Sequence, residues 1–281
     1  MPTSEISHNW RKQVITSDRG WGFPDFGELW AFRELLYTLT FRDIKVRYKQ
    51  TAIGILWAVI QPVISMVVFT LIFGKLAKMP SNGLPYAAFV LAALLPWQLF
   101  AKALTQGSMS MVAMGGIMSK TYFPRLIAPL SSVLSGVVDF AIGLVILLGV
   151  MAWYGLMPGW QIALAPLFIA LAIAAAFAVS LWLSVINAEY RDVQHALPFL
   201  TQIWLILTPV LYPTSVIPHG WHWVFVLNPM VSVIEGFRWS LLGGKVPDIG
   251  AMAVSVAATL LLLLLGLIYF ARYEKSYVDR L

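Results

Sequence analysis

The chain has no cysteine, which excludes disulfides, thiolate metal sites and cysteine nucleophiles. Charge is scarce: 11% of residues are Asp, Glu, Lys or Arg, against about 25% in soluble domains. Histidine is rarer still. There are four, His8, His195, His219 and His222, without HExxH-type spacing; His219 and His222, three apart across Gly220, read as a surface loop pair rather than metal ligands. No GxxxxGK[ST] phosphate loop occurs, so the chain does not bind and hydrolyse ATP by that route. The first 50 residues hold no apolar h-region, so the first apolar span is expected to act as the targeting signal. There are no short alternating strands of the kind a membrane barrel needs. No copy of the first three apolar runs recurs in the last three, which counts against a repeat-built secondary carrier. No cluster of titratable groups within the runs suits an enzyme.

What the chain has instead is six long apolar runs, at about 52–76, 86–106, 126–157, 161–186, 197–217 and 250–271. Each exceeds the roughly 20 residues a helix needs to cross ~30 Å of hydrocarbon. Helices are favoured because lipid offers no partner to an unpaired backbone amide. The fold class is therefore an all-α integral membrane protein with six transmembrane helices. The expected organisation is an N-terminal arm over 1–28, an interfacial amphipathic helix over 29–50, a single six-span domain over 51–272 and a tail over 273–281. Of the 19 Lys and Arg, only Lys75, Lys78, Arg238 and Lys245 fall outside the segments that alternate connectivity puts on one side. Basic loops stay cytoplasmic, so both termini are expected inside.

Before the first run, Leu29, Phe32, Leu36 and Leu39 recur on one helical face. Thr40 and Asp43 resemble a capping box at which a second helix would restart. The basic cluster Arg42, Lys45, Arg47 and Lys49 either anchors on anionic headgroups or forms a docking surface for a cytoplasmic partner, and both can hold. Between the second and third runs, 107–125 carries Met109, Met111, Met114 and Met118 and closes on Tyr122-Phe123-Pro124-Arg125. It reads either as helix extension and a membrane-edge turn or as an adaptable partner surface. The loop Glu189-Tyr190-Arg191-Asp192 packs three charges into four residues and is a candidate for a specific polar contact.

Pro209 and Pro213 must kink or end the fifth run. Residues 219–248 form short apolar pieces broken at Asn228-Pro229, which read as re-entrant half-helices between spans five and six. Glu235 and Arg238 are spaced to pair on one helix face. Asp139 is the one acid at a predicted span centre; it is either a structural, hydrogen-bonded carboxylate or a transport carboxylate. Of the 12 tryptophans, Trp57, Trp97 and Trp204 fall inside runs. They either pack helix on helix or, with the neutral Gln61, Gln202, Thr208 and Tyr212, line a conduit for a sugar-like substrate.

The stretch Phe41-Arg42-Asp43-Ile44-Lys45-Val46-Arg47-Tyr48-Lys49-Gln50-Thr51, then Gly54, Trp57-Ala58 and Gln61-Pro62, resembles the permease subunits of ABC transporters that export lipid-linked polysaccharides. Tyr122-Phe123-Pro124-Arg125, Glu189-Tyr190-Arg191-Asp192, Thr208-Pro209, Tyr212-Pro213 and Leu227-Asn228-Pro229 follow in the family's order. The resemblance covers about 28–275. It implies a homodimeric permease in a bacterial inner membrane, exporting O-antigen, capsule or teichoic acid, with a lipid-linked glycan as substrate. Two cytoplasmic ATPase subunits would carry ATP and Mg, this chain would bind no cofactor itself, and no nucleic acid would be involved. By the same resemblance, Arg42, Lys45, Arg47, Met111, Met114, Tyr122, Glu189, Tyr190, Arg191 and Asp192 are candidates for coupling to the ATPase. Trp57, Gln61, Trp204, Thr208 and Tyr212 are candidates for lining the channel of a dimer. The alternatives are an ABC permease for a small molecule or lipid and a proton-coupled carrier using Asp139.

Overall fold

The computed structural model describes residues 24–49, 53–190, 192–244 and 246–278. Expectations for residues 1–23, 50–52, Arg191, Lys245 and 279–281 lie outside the described residues, as does the pairing of the His219 and His222 side chains. The described residues contain helices and irregular segments and no strand.

The chain begins with α1, Phe26–Ala31, and α2, Arg33–Lys49. Asp25 caps α1: its Oδ1 accepts from the amides of Gly27 at 2.9 Å and Glu28 at 3.1 Å, meeting two otherwise unpaired first-turn donors. The break between the two helices falls at Phe32, not at the expected Thr40. Thr40 donates its hydroxyl to the Leu36 carbonyl at 2.8 Å inside a continuous α2, the alternative to capping open to a mid-helix threonine.

Next come α3, Leu56–Phe69, widening into a π-helical turn over Thr70–Leu76, α4, Tyr86–Met118, and α5, Ile127–Trp153. A 3-10 turn at Trp160–Leu164 leads into α6, Ala165–Glu189. Then follow α7, Val193–Leu207, α8, His222–Leu227, α9, Pro229–Leu242, and α10, Ile249–Val278. Five segments are long and apolar enough to cross a membrane: α3 with its π turn, α4, α5, α6 with its 3-10 turn, and α10.

The apolar run 197–217 yields a shorter helix than the other five. α7 has 15 residues, about 22 Å at ~1.5 Å per residue. It stops because Thr208, ahead of Pro209, is held extended at φ −98°, ψ 137°. The carbonyls freed by this break are met by α9. The Arg238 guanidinium, buried in the protein, donates to the carbonyls of Pro209 at 2.8 Å, Val210 at 2.5 Å and Phe89 at 3.1 Å, and it lies 3.7 Å above the Phe89 ring. Tyr86 donates to the Leu211 carbonyl at 2.7 Å. The expected Glu235–Arg238 pair is therefore not a salt bridge. Backbone oxygens claim the guanidinium, while Glu235 accepts from the Thr214 hydroxyl. Asn228 caps α9 on the Met230 amide at 3.1 Å, and its Nδ2 donates to Thr208 Oγ1 at 3.0 Å.

The core forms around α4, which packs against α3, α5, α6, α7 and α9. Close approach needs small residues. A Cβ on Gly107 would lie 2.6 Å from Ser180 Oγ of α6, and one on Gly236 of α9 would lie 2.0 Å from the Phe168 ring. α10 runs along α6, where the Trp182 and Tyr269 rings stack at 4.7 Å. A second core sits at one end of the bundle. There Leu39 of α2 is buried with Met111, Met114, Phe123, Ile127 and Phe270, and Leu29, Phe32 and Leu36 pack against them. The apolar face read from the sequence thus docks on protein, across the ends of α4, α5, α6 and α10. At the opposite end, Trp160 meets Trp239 of α9 edge-on at 6.2 Å.

Candidate functional site

Asp139 lies midway along α5 and does not stand alone. α2 carries Arg47 and Tyr48 on its last turn, and docking of the Leu29–Leu39 face brings that turn against α5. Arg47 Nη1 donates to Asp139 Oδ2 and Tyr48 donates to Asp139 Oδ1. Arg47 Nη2 also donates to Gln106 Oε1 at 2.7 Å and to Ser135 Oγ at 3.1 Å. Lys102 of α4 reaches Asp139 Oδ2 and Gln61 Oε1, each at 3.4 Å. The Asp139 side chain is 8% exposed, that of Arg47 21% and that of Lys102 29%. Burial, then the hydrogen bond to Asp139 and its charge, push the Tyr48 phenol up to about 12, so it is a hydroxyl donor at any physiological pH. Asp139's basic companions are not legible from local spacing, because Arg47 lies 92 residues upstream on a helix expected to rest on the membrane surface.

Next to this cluster is a cavity of about 340 Å³ lined by Arg47, Tyr48, Trp57, Gln61, Lys102 and Gln106. Two of the channel candidates, Trp57 and Gln61, line it from α3, and both are exposed. The other three are engaged within the chain. Trp204 packs edge-on against Phe100 at 5.0 Å and Trp97 at 6.5 Å. Thr208 is fully buried and donates to the Trp204 carbonyl at 2.8 Å. Tyr212 donates to the Ile206 carbonyl at 2.9 Å.

The coupling candidates lie at the α2 end of the bundle. Arg42 donates to Asp43 Oδ1 at 2.8 Å, and Lys45 sits 5.0 Å above Phe41. Tyr122 donates to Glu28 Oε1 at 3.0 Å, linking the α4–α5 connection to α1. Arg125 donates to Glu274 twice, through its amide at 3.2 Å and its guanidinium at 3.1 Å, pinning the end of α10 to the same corner. Glu189, Tyr190 and Asp192 are exposed. Met111 and Met114 are buried at 1% and 2% exposure. They belong to the buried cluster that includes Leu39 of α2 and so present no outer surface.

Long apolar helices around a polar cluster, with an amphipathic helix docked across one end, fit a multi-pass membrane protein. Residues 34–242 match the ABC-2 type transporter family, and the chain belongs to it. Among curated relatives, it is 30% identical over 251 residues to the O-antigen export system permease protein RfbA of Myxococcus xanthus, covering 88% of this chain and 96% of that protein. It is 28% identical to the protein of the same name from Klebsiella pneumoniae, covering 88% and 94%. With the polysialic acid transport protein KpsM of Escherichia coli it shares 22% identity, over 85% and 93%.

Proposed function

We propose that this chain is the transmembrane subunit of an ATP-driven exporter that moves a lipid-linked polysaccharide, of the O-antigen type, across a bacterial inner membrane. The observation that carries this reading is the end-to-end likeness to permeases named for O-antigen export. Likeness to a named capsule export protein and to a polysialic acid transport protein points to the same substrate class. ATP and Mg²⁺ bind a separate cytoplasmic subunit, two copies per complex. The α2 end faces the cytoplasm, with both termini inside, and its corner of α1, Tyr122–Arg125 and Glu189–Asp192 receives the ATPase. Basic residues concentrated at that end support this orientation.

α7 and the irregular stretch after it complete a sixth crossing, and α8 and α9 form a re-entrant pair at the outer face. The buried Arg238 network supports this, since non-helical backbone at membrane depth needs internal partners. The exporter works as a homodimer. Only 11% of the α3 span is buried within the chain, and Phe199, Ile203 and Ile206 of α7 are exposed. These faces are free to pair with a second copy and enclose the path. Asp139 is a structural carboxylate held by two cations, which favours ATP drive over proton coupling.

The test is deletion of the gene in its host. Loss of surface glycan with accumulation of lipid-linked glycan inside the cell, both reversed by the wild-type gene on a plasmid, is the expected result. Unchanged surface glycan with loss of resistance to a small toxic compound would point to a small-molecule exporter instead.

A further inference from the structure

Beside Asp139, the carboxylate and both glutamine oxygens of the cavity already accept from side chains, and donors are left over among the described residues. Asp139 accepts from Arg47, Tyr48 and Lys102. Gln106 Oε1 accepts from Arg47 at 2.7 Å and Ser135 at 3.3 Å, and Gln61 Oε1 accepts from Lys102 at 3.4 Å. Neither amide can be turned round, because Arg and Lys only donate. Gln61, Gln106 and Trp57 line the cavity, and their Nε2 and indole N–H groups have no acceptor among the described residues. The Lys102 ammonium makes only long contacts, beyond the usual N–H···O range. Two cations face one carboxylate. A ligand for this cavity must accept hydrogen bonds, need not donate any and carry negative charge. A neutral sugar hydroxyl would leave the excess positive charge unanswered, whereas a phosphate meets it with charge-assisted bonds.

Size and surroundings narrow the choice. At about 340 Å³ the cavity is at the small end of ligand pockets, which run from ~300 to 1,000 Å³, so it suits a headgroup and not a glycan chain. Trp57, Gln61, Ile64 and Val68 recur at helical spacing on one face of α3, and the three apolar members are 48%, 55% and 42% exposed. A polar pocket thus opens onto an apolar strip, which matches a charged head attached to a hydrocarbon tail. Lys102 is 16 residues from the Tyr86 end of α4, about 24 Å at ~1.5 Å per residue. In the proposed orientation that places it just inside the cytoplasmic edge of a ~30 Å hydrocarbon layer, where a cation calls for a counter-charge.

We infer that the cavity formed by Arg47, Trp57, Gln61, Lys102 and Gln106 binds the phosphorylated head of a lipid, the carrier end of the exported glycan; this rests on the lipid-linked reading proposed above. Lys102 and the two amides grip the phosphate oxygens, Arg47 supplies charge while remaining on Asp139, and the α3 strip takes the start of the tail.

Equilibrium binding of radiolabelled polyprenyl phosphate to the purified permease–ATPase complex tests this. Lys102→Gln should weaken binding about tenfold, a charge-assisted hydrogen bond's worth, with Lys102→Arg close to wild type. Gln61→Leu, at an exposed position, should weaken it several-fold. Co-elution of the ATPase confirms that each variant is assembled. Wild-type affinity in assembled Lys102→Gln, or equal binding of the uncharged polyprenol, would overturn the assignment. Equal competition by inorganic pyrophosphate would place the affinity in free phosphate and not in a lipid. Equal binding of phosphatidylglycerol would make the site a bulk-lipid site; either result overturns the carrier assignment. Glycan export by cells carrying the wild-type gene is scored separately. Export without phosphate-dependent binding ends this inference alone, whereas absence of export ends the reading on which it rests.

Discussion

The Arg47–Asp139 pair fastens α2 to the bundle, and removing both partners should cost no more than removing one. Breaking a buried ion pair from one side costs about 3–5 kcal/mol, because a charge is left uncompensated. Asp139 is 8% exposed but Arg47 is 21% exposed, so water softens the penalty, and Asp139→Leu or Arg47→Met should each cost ~3 kcal/mol. Asp139→Asn can keep its oxygen on the two cations and turn its NH₂ to the Tyr48 hydroxyl, but it removes the negative charge and should cost ~2 kcal/mol. The double substitution Arg47→Met with Asp139→Leu strands neither member of the pair, and Lys102, 29% exposed, turns to water and Gln61. The double variant should cost ~2–3 kcal/mol, so the two losses overlap by ~3 kcal/mol, the upper end of the usual range for contacting pairs. The natural chain has no cysteine, so Leu39→Cys supplies a single thiol under α2, at a position 6% exposed. Its labelling by a maleimide in detergent should speed up in each single variant and no further in the double. Thermal unfolding of the purified full chain should follow the same order. Single variants that label and unfold like wild type, or a double variant whose cost is the sum of the singles, would refute the latch. Transport lost in Asp139→Asn despite a normal level of complex and normal ATP turnover would move the carboxylate back to proton coupling.

Other substitutions have expected outcomes of their own. Arg238→Lys keeps the charge but loses the planar fork that serves three carbonyls; it should destabilise the chain by ~2–4 kcal/mol and reduce the folded protein recovered from membranes. Gly236→Ala drives a methyl into the Phe168 ring and should cost ~1–3 kcal/mol, seen as a lower unfolding temperature. Tyr122→Phe removes a bond between exposed groups and should change stability by less than ~1 kcal/mol, while lowering ATP turnover of the complex if that corner receives the ATPase. Glu189→Ala and Asp192→Ala should likewise spare expression and reduce coupled ATP turnover, and wild-type turnover in both would remove that loop from the coupling surface.

Much of the architecture is legible in the sequence because bilayer thickness acts on length and hydropathy alone. Five of the six apolar runs appear as helices of spanning length, and the Leu29–Leu39 face is visible as a 3.6-residue period. Pro209 and Pro213 announced that the fifth run would break, but not where its carbonyls would go. That depends on Arg238, whose partners lie 28, 29 and 149 residues away, and local spacing favoured Glu235 instead. Asp139 was misleading for the same reason: a single acid in an apolar run looks isolated until α2 folds back on it. The methionines of α4 show the opposite case. Their composition suits either an interface or a core, and only burial under α2 separates the two.

The most direct test of polysaccharide export uses the purified permease and its ATPase in proteoliposomes. Lipid-linked glycan is supplied in the outer leaflet, on the side where the ATPase binds ATP. Glycan should become protected from an external glycosidase only when ATP and Mg²⁺ are present, and Lys102→Gln should slow this protection. Protection without ATP, or protection driven by a proton gradient in its absence, would contradict ATP-driven export.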